Sequence, residues 1–236
     1  MTLPIINAPE YRLKVPSTDE EIKYRPFLVK EEKLLLMAQE TGSEDEIYGA
    51  IKKLIEQCCF ENVDVEKMPL FDLEYIFLQI RAKSIGEVST VQVTCPDDEK
   101  TQVKVDIDLS KIQVHMDEKH DARIQLTDDI GLLMSYPHLG AVNMIQASDE
   151  KKQMENLFSM IYDCMYQIWQ GEETFDAMDY SHKEKEDFLE SLSHEQFEKI
   201  QTFFQTMPTV KHEIEVENPK TGVKSKMTLE GMNSFF

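Results

Sequence analysis

Apolar residues along this chain recur with two periods, and the changes of period divide it into elements. Recurrence at every second position marks a strand with one buried face, and recurrence at three and four marks one face of a helix. Residues 11–15 alternate and stop at Pro16, residues 17–20 supply turn chemistry, and residues 21–25 alternate again before Pro26, which predicts an N-terminal pair of strands. From Val29 good helix formers run through Ala38, with Gly42 just beyond. Ser43 with Glu46 spells a capping box for a second helix whose inner face is Ile47, Ala50, Ile51, Leu54 and Ile55. After Pro69, residues Leu73, Ile76, Phe77 and Ile80 keep helical spacing, and Tyr75 and Leu78 widen the stripe. That predicts a helix buried around most of its circumference. It ends in Arg81 and Lys83, cations suited to the negative end of the helix dipole, and then Gly86.

Residues 88–95 and 101–109 alternate around Pro96-Asp97-Asp98-Glu99-Lys100, a hairpin signal that returns at 212–217 and 223–229 around Asn218-Pro219-Lys220-Thr221-Gly222. A short piece lies between at 112–116, and 123–126 reads as a strand. Thr127-Asp128-Asp129 reads as a helix start, followed by a turn-rich segment to Met134. The longest helix is expected over 150–170, with Met154, Leu157, Phe158, Ile161, Met165 and Ile168 on one stripe. Core packing is the default for such a stripe, and Met160, Tyr162, Tyr166 and Trp169, which lie off it, offer as the alternative a second apolar face for a partner helix. Residues 172–179 read as an acidic, irregular connection. Helices follow near Ser181 and at Ser193, the latter with a Ser193/Gln196 capping box and an inner face of Phe197, Ile200, Phe203 and Phe204. The elements add up to an α+β fold of helices packed with β-hairpins, in two small modules. The division is expected as 1–137, with the hairpin near 88–109, and 138–236, helical and ending in the hairpin near 210–229.

With 41% hydrophobic and 9% aromatic residues the chain has material for a core. Charge changes the picture more: 25 basic against 45 acidic side chains leave a net −20. Phosphate-rich surfaces are bound by lysine and arginine that release counterions, so neither nucleic acid nor an anionic membrane is an expected partner. An acidic surface that mimics DNA is a remote alternative. The chain has no run of about 18 apolar residues, and its first residues lack a basic stretch followed by an apolar one, so no membrane span and no secretory signal are expected. Cys58, Cys59, Cys95 and Cys164 form no disulfide framework, which fits reduced thiols in a cytoplasm.

The chain carries no grouping with the spacing of a catalytic or metal-binding motif. Cys95-Pro96-Asp97-Asp98 sits where a zinc knuckle places its first Cys-x-x-Cys, but the second thiol is missing. His115 and His120 lack helically spaced partners, and Asp106, Asp108, Asp128 and Asp129 fit no EF-hand spacing. Nucleophile, metalloprotease and phosphate-loop motifs are all absent. Cys164 reads as a buried inert thiol and Cys58-Cys59 as a pair open to partial reactivity. No enzyme, no cofactor and no metal is therefore expected; the expected work is protein–protein contact.

Several blocks are familiar. Arg25-Pro26-Phe27-Leu28-Val29-Lys30-Glu31-Glu32 through Leu36, Pro69-Leu70-Phe71-Asp72 through Tyr75, and Leu78 through Glu87 resemble the T4-like bacteriophage baseplate hub subunit family. Asn218 through Gly222, and Leu229-Glu230-Gly231 with Phe235-Phe236, are similar to that family's ending. The resemblance implies a non-catalytic component of a contractile-tail baseplate hub, acting in virion assembly inside the host bacterial cytoplasm beside other hub or tail proteins. It also implies a Cys-Pro-x-Cys at the first hairpin, half of a zinc site, from which this chain departs; metal binding is not carried over. A structural subunit retained in the virion and an assembly chaperone that leaves after docking a hub or tape-measure protein both remain open. The partner-contact candidates are Pro26 and Phe27 in the loop at 26–30, Arg81 and Lys83 at the end of the buried helix over 81–86, Tyr166 and Trp169, and the terminal Phe235 and Phe236.

Overall fold

A computed structural model describes residues 7–41, 44–60, 63–139, 150–231 and 234. In chain order its elements are β1 (Tyr11–Lys14), β2 (Glu21–Tyr24), α1 (Val29–Thr41), α2 (Glu44–Cys58), α3 (Leu70–Ser84), β3 (Val88–Thr94), β4 (Gln102–Asp108) and β5 (Gln113–His115). They continue as β6 (Arg123–Gln125), β7 (Ile130–Met134), α4 (Glu150–Cys164), β8 (Met165–Gln170), β9 (Glu173–Asp176), α5 (His182–Glu190), α6 (His194–Thr206), β10 (Thr209–Glu217) and β11 (Lys224–Glu230). The α+β class expected from the periodicities is the class observed.

By contact the described residues group differently from a sequential division at 137/138. Those up to His115 belong with those from Thr209 onward, and Met116–Pro208 form a second unit. The cause is strand pairing: β10 lies between β11 and β5, with Thr209 opposite His115 and Lys211 opposite Gln113, so the last hairpin completes the first unit.

In the first unit β1 and β2 pair antiparallel with Tyr11 opposite Tyr24, and Asp19 takes a positive φ of 59° in the turn between them. Helix α2 packs between α1 and α3, and its predicted face is buried at Ala50, Ile51, Leu54 and Ile55. The Ser43 cap predicted for it lies outside the described residues. Helix α3 fulfils its all-round pattern: Leu73, Ile76, Phe77, Leu78 and Ile80 have no exposed surface. Fully burying such a side chain contributes roughly 1.5–3 kcal/mol each. Leu78 and Ala82 join Val91, Val93 and Ile107 of the β3–β4 hairpin and Val210, Ile214 and Leu229 of β10–β11 in one core.

The second unit is a four-stranded antiparallel sheet in the order β6-β7-β8-β9, with α4, α5 and α6. Its core gathers Ile124, Leu132, Met134, Ile161, Cys164, Met165, Ile200 and Phe203. Three expectations fail here. Residues 127–134 are not a helix start and turn-rich segment: Thr127 Oγ1 accepts from the N–H groups of Asp129 and Ile130, closing a tight turn, and Ile130–Met134 run on as β7. The helix expected to Gln170 stops at Cys164, whose carbonyl accepts from the N–H of Ser135 at 2.7 Å, and residues 165–170 become β8. Residues 172–179 are not irregular throughout, because Glu173–Asp176 pair with β8 across a two-residue turn in which Gly171 takes φ 59°.

One cause explains the last two failures. Met165 and Ile168 are three apart and extend the helical stripe, yet Tyr166, Ile168 and Trp169 are aromatic or β-branched residues that favour strands. Pairing with β7 decides, since Gly131 sits opposite Trp169. A Cβ on Gly131 would lie 1.9 Å from Trp169 Cζ2, so the indole lies against bare backbone. The helices at 182 and 194 begin as read, each with a complete capping box, Ser181/Glu184 and Ser193/Gln196.

Candidate functional site

The segment between β2 and α1 is fixed by one buried carboxylate. The Glu31 side chain is fully buried; its Oε1 accepts from Arg25 Nη2 at 2.9 Å and lies 3.1 Å from Lys30 Nζ, and its Oε2 accepts from the Leu28 N–H at 2.7 Å. Burial opposes ionisation, but the bonds from Arg25, Leu28 and Lys30 outweigh it and hold the Glu31 carboxyl below its usual range. Arg25 also donates to the carbonyls of Pro26 and Gln57. The Phe27 N–H donates to Ser84 Oγ at 2.9 Å, which sets residues 27–29 beside the end of α3.

The result is an exposed apolar patch on a rigid base. Leu28 is 42% exposed, Val29 79%, Ile85 62% and Val88 63%. Pro26 and Phe27, named as candidates from the sequence, are themselves buried and support the exposed pair that follows them. Arg81 is half-buried and donates to Ser89 Oγ at 3.2 Å; desolvation lowers its pKa. Lys83 pairs with Glu87 and lies 5.6 Å from the centre of the Tyr11 ring. The structure thus brings Pro26, Phe27, Arg81 and Lys83 to one region of the first unit.

Tyr166 and Trp169 lie elsewhere, on β8, and not on a second helix face. Tyr166 is 52% exposed, whereas Trp169 is buried with the Arg123 guanidinium 4.2 Å from the centre of its ring. Phe235 and Phe236 lie outside the described residues, as does the side chain of Met154.

Sequence reasoning missed a cleft of about 440 Å³ in the second unit, walled by Ile130, Ile168, Phe175, Ala177, Tyr180 and Phe188. Lys185 also lines it, and its ammonium is turned to the Tyr162 carbonyl at 3.2 Å. The signal was present in the alternation of Phe175 and Ala177, hidden within a stretch read as irregular. The cleft suits an apolar side chain or chain segment.

At the two hairpin tips of the first unit, Asp97 accepts from Asn218 Nδ2 at 3.0 Å and Thr221 Oγ1 at 2.6 Å, tying the β3–β4 turn to the β10–β11 turn. These bonds draw its pKa down. Cys95 beside it is buried. Among the described residues no three His, Cys, Asp or Glu side chains are grouped so as to hold a metal ion. Partial reactivity at Cys58 is corrected: burial pushes its thiol up to about 11, and that of Cys164 to about 12. No helix of the described residues is long and apolar enough to cross a membrane.

Exposed aliphatic residues beside a buried ion pair, and an apolar cleft in a second unit, belong to an α+β protein. Comparison with known families gives that class a name. The family model described as T4 bacteriophage base plate protein matches residues 8–236, and the chain belongs to that family. Its role is accordingly structural or assembly-related, in a phage baseplate among other tail proteins. No curated protein and no solved structure matches the chain.

Proposed function

We propose that the chain is a non-catalytic subunit of the baseplate hub, assembled in the host cytoplasm and retained in the virion. The observation that carries this reading is the Leu28, Val29, Ile85 and Val88 patch: four aliphatic residues held in water on a base of buried Phe27 and Glu31. Scattered exposed apolar residues are ordinary, but here two exposed pairs flank the Phe27–Ser84 hydrogen bond, and exposed aliphatic residues brought near one another suit a protein contact. The resemblance of residues 25–36, 69–75 and 78–87 to hub subunits supports a place in the hub, and Leu28, Val29 and Ile85 fall inside those blocks. Pro26 and Phe27 shape that contact, Arg81 and Lys83 flank it, Tyr166 is a second contact on the other unit, and Phe235 and Phe236 a third.

The net charge of −20 favours a second reading, an assembly chaperone that shields a basic or adhesive hub or tape-measure protein and then leaves. Quantitative mass spectrometry of purified virions separates the two. A fixed copy number per particle is expected for the retained subunit; abundance in infected lysate with absence from particles would establish the chaperone instead.

A further inference from the structure

A cleft of about 340 Å³ in the first unit lies between the β1–β2 turn and the start of α3. Its walls combine apolar Val15, Ile22, Val63 and Met68 with the carboxylates Glu20, Glu21, Asp64 and Asp72 and a single lysine, Lys67. Two of the carboxylates are already engaged: Glu21 with Arg12 at 3.0 Å and Asp64 with Lys67 at 3.7 Å.

Asp72 is different. It has no exposed surface, its Oδ1 accepts from the Ser17 N–H at 3.0 Å, and its Oδ2 has no hydrogen-bond partner. A buried carboxylate oxygen left bare is costly, and natural structures rarely tolerate one without a reason. The local sequence explains why the chain does not satisfy it. Asp72 is the third residue of α3, from which an acidic side chain ordinarily reaches back to the N-cap N–H. The N-cap here is Pro69, which has no N–H to give. Burial raises the Asp72 pKa and outweighs the Ser17 side chain and N–H, which lower it.

We propose that this cleft receives the side chain of a lysine presented by a partner protein, with its ammonium on Asp72 Oδ2. Length and polarity fit: a lysine lays its four-carbon stem along apolar walls and keeps its charge at the tip. Lysine is favoured over arginine because an ammonium is a compact point charge that one free oxygen can face, whereas the bidentate guanidinium fork is matched by two oxygens and only one is free here. Glu20, which has no ion pair among the described residues, adds charge at the cleft. The cleft is separate from the aliphatic patch, and the inference does not depend on which baseplate protein is the partner.

The test uses the full chain, nitrogen-15 labelled, titrated with Nα-acetyl-lysine amide and followed by amide chemical shifts. Saturable shifts at Ser17 and at residues 64–72 are expected, with no saturable response to the same probe acetylated on its ε-amine. Asp72→Asn keeps an acceptor for Ser17 and should weaken the lysine probe at least tenfold while leaving the rest of the spectrum in place. Glu20→Gln should weaken it a few-fold. Equal binding of the charged and ε-acetylated probes to the wild-type chain, or shifts scattered over its acidic surface, would overturn the proposal. So would wild-type affinity in Asp72→Asn.

Discussion

Replacing Glu31 by Ala should be strongly destabilising. The substitution removes the partner of Arg25, whose side chain is only 15% exposed, and leaves the Leu28 N–H without its 2.7 Å acceptor. Breaking a buried pair by deleting one member costs about 3–5 kcal/mol, because the other charge is left uncompensated. Arg25 keeps its bonds to the Pro26 and Gln57 carbonyls, which places the expected loss at the lower end, ~3 kcal/mol. At about 2–4 °C per kcal/mol for a chain of this size, that is a fall of roughly 6–12 °C in the melting temperature. Glu31→Gln retains one acceptor and should lose about half as much. Differential scanning calorimetry at pH 7 reads the stability, and hydrogen exchange at the Leu28 amide reads the local opening. The sign with pH follows from the depressed carboxyl: the contribution is present above the ordinary glutamate range and lost as acid carries the pH through the lower folded value. A Glu31→Ala chain within 0.5 kcal/mol of wild type would refute the clamp. So would unchanged exchange at Leu28.

Four further outcomes follow from the same structure. His120 bonds Thr206 Oγ1 and Tyr136 OH through its two ring nitrogens, and desolvation outweighs Asp121 and Asp117 to lower its pKa. Its share of stability is therefore present above the ordinary histidine value and lost as pH falls below it, and the difference between wild type and His120→Gln in urea unfolding should shrink from pH 7.5 to pH 5. Gly131→Ala should destabilise the second unit by about 1–3 kcal/mol or more through overpacking against Trp169, read by the loss of native tryptophan fluorescence in denaturant. All four cysteines are buried, so the native chain should resist iodoacetamide at pH 8 while the unfolded chain reacts at every thiol, as counted by mass. Val29→Glu with Ile85→Glu should leave the melting temperature within about 2 °C, since both residues are largely exposed, yet abolish incorporation into phage in a complementation assay.

The sequence was most legible where one periodicity had no rival. Helix α3 is apolar on nearly every side, and the β3–β4 and β10–β11 hairpins carry alternating arms around turn residues; all three appear where the patterns put them. The second unit was misread at 127–134 and 165–176, where short apolar runs fit both periods, while the helix over 150–164 stands as read. Met165 and Ile168 satisfied a helical stripe, and only the pairing of β8 with β7 and β9, a non-local event, converts them to a strand. The candidate site was half legible. Residues 26–30 and 81–86 were picked out separately, but their meeting through Phe27 and Ser84 depends on a contact 57 residues apart in sequence. Individual roles were not readable: of the side chains named one by one, Phe27 and Trp169 are buried, while Val29 and Ile85, inside the two segments but not named one by one, carry the exposure.

Cross-linking mass spectrometry of purified baseplates, with an amine-reactive reagent, tests the central claim most directly. Lys30 and Lys83 flank the aliphatic patch, and a chain seated in the hub through that patch should link from both to a second baseplate polypeptide. Absence of the chain from purified baseplates would contradict the account. So would cross-links to other baseplate proteins that arise only from lysines remote from the patch.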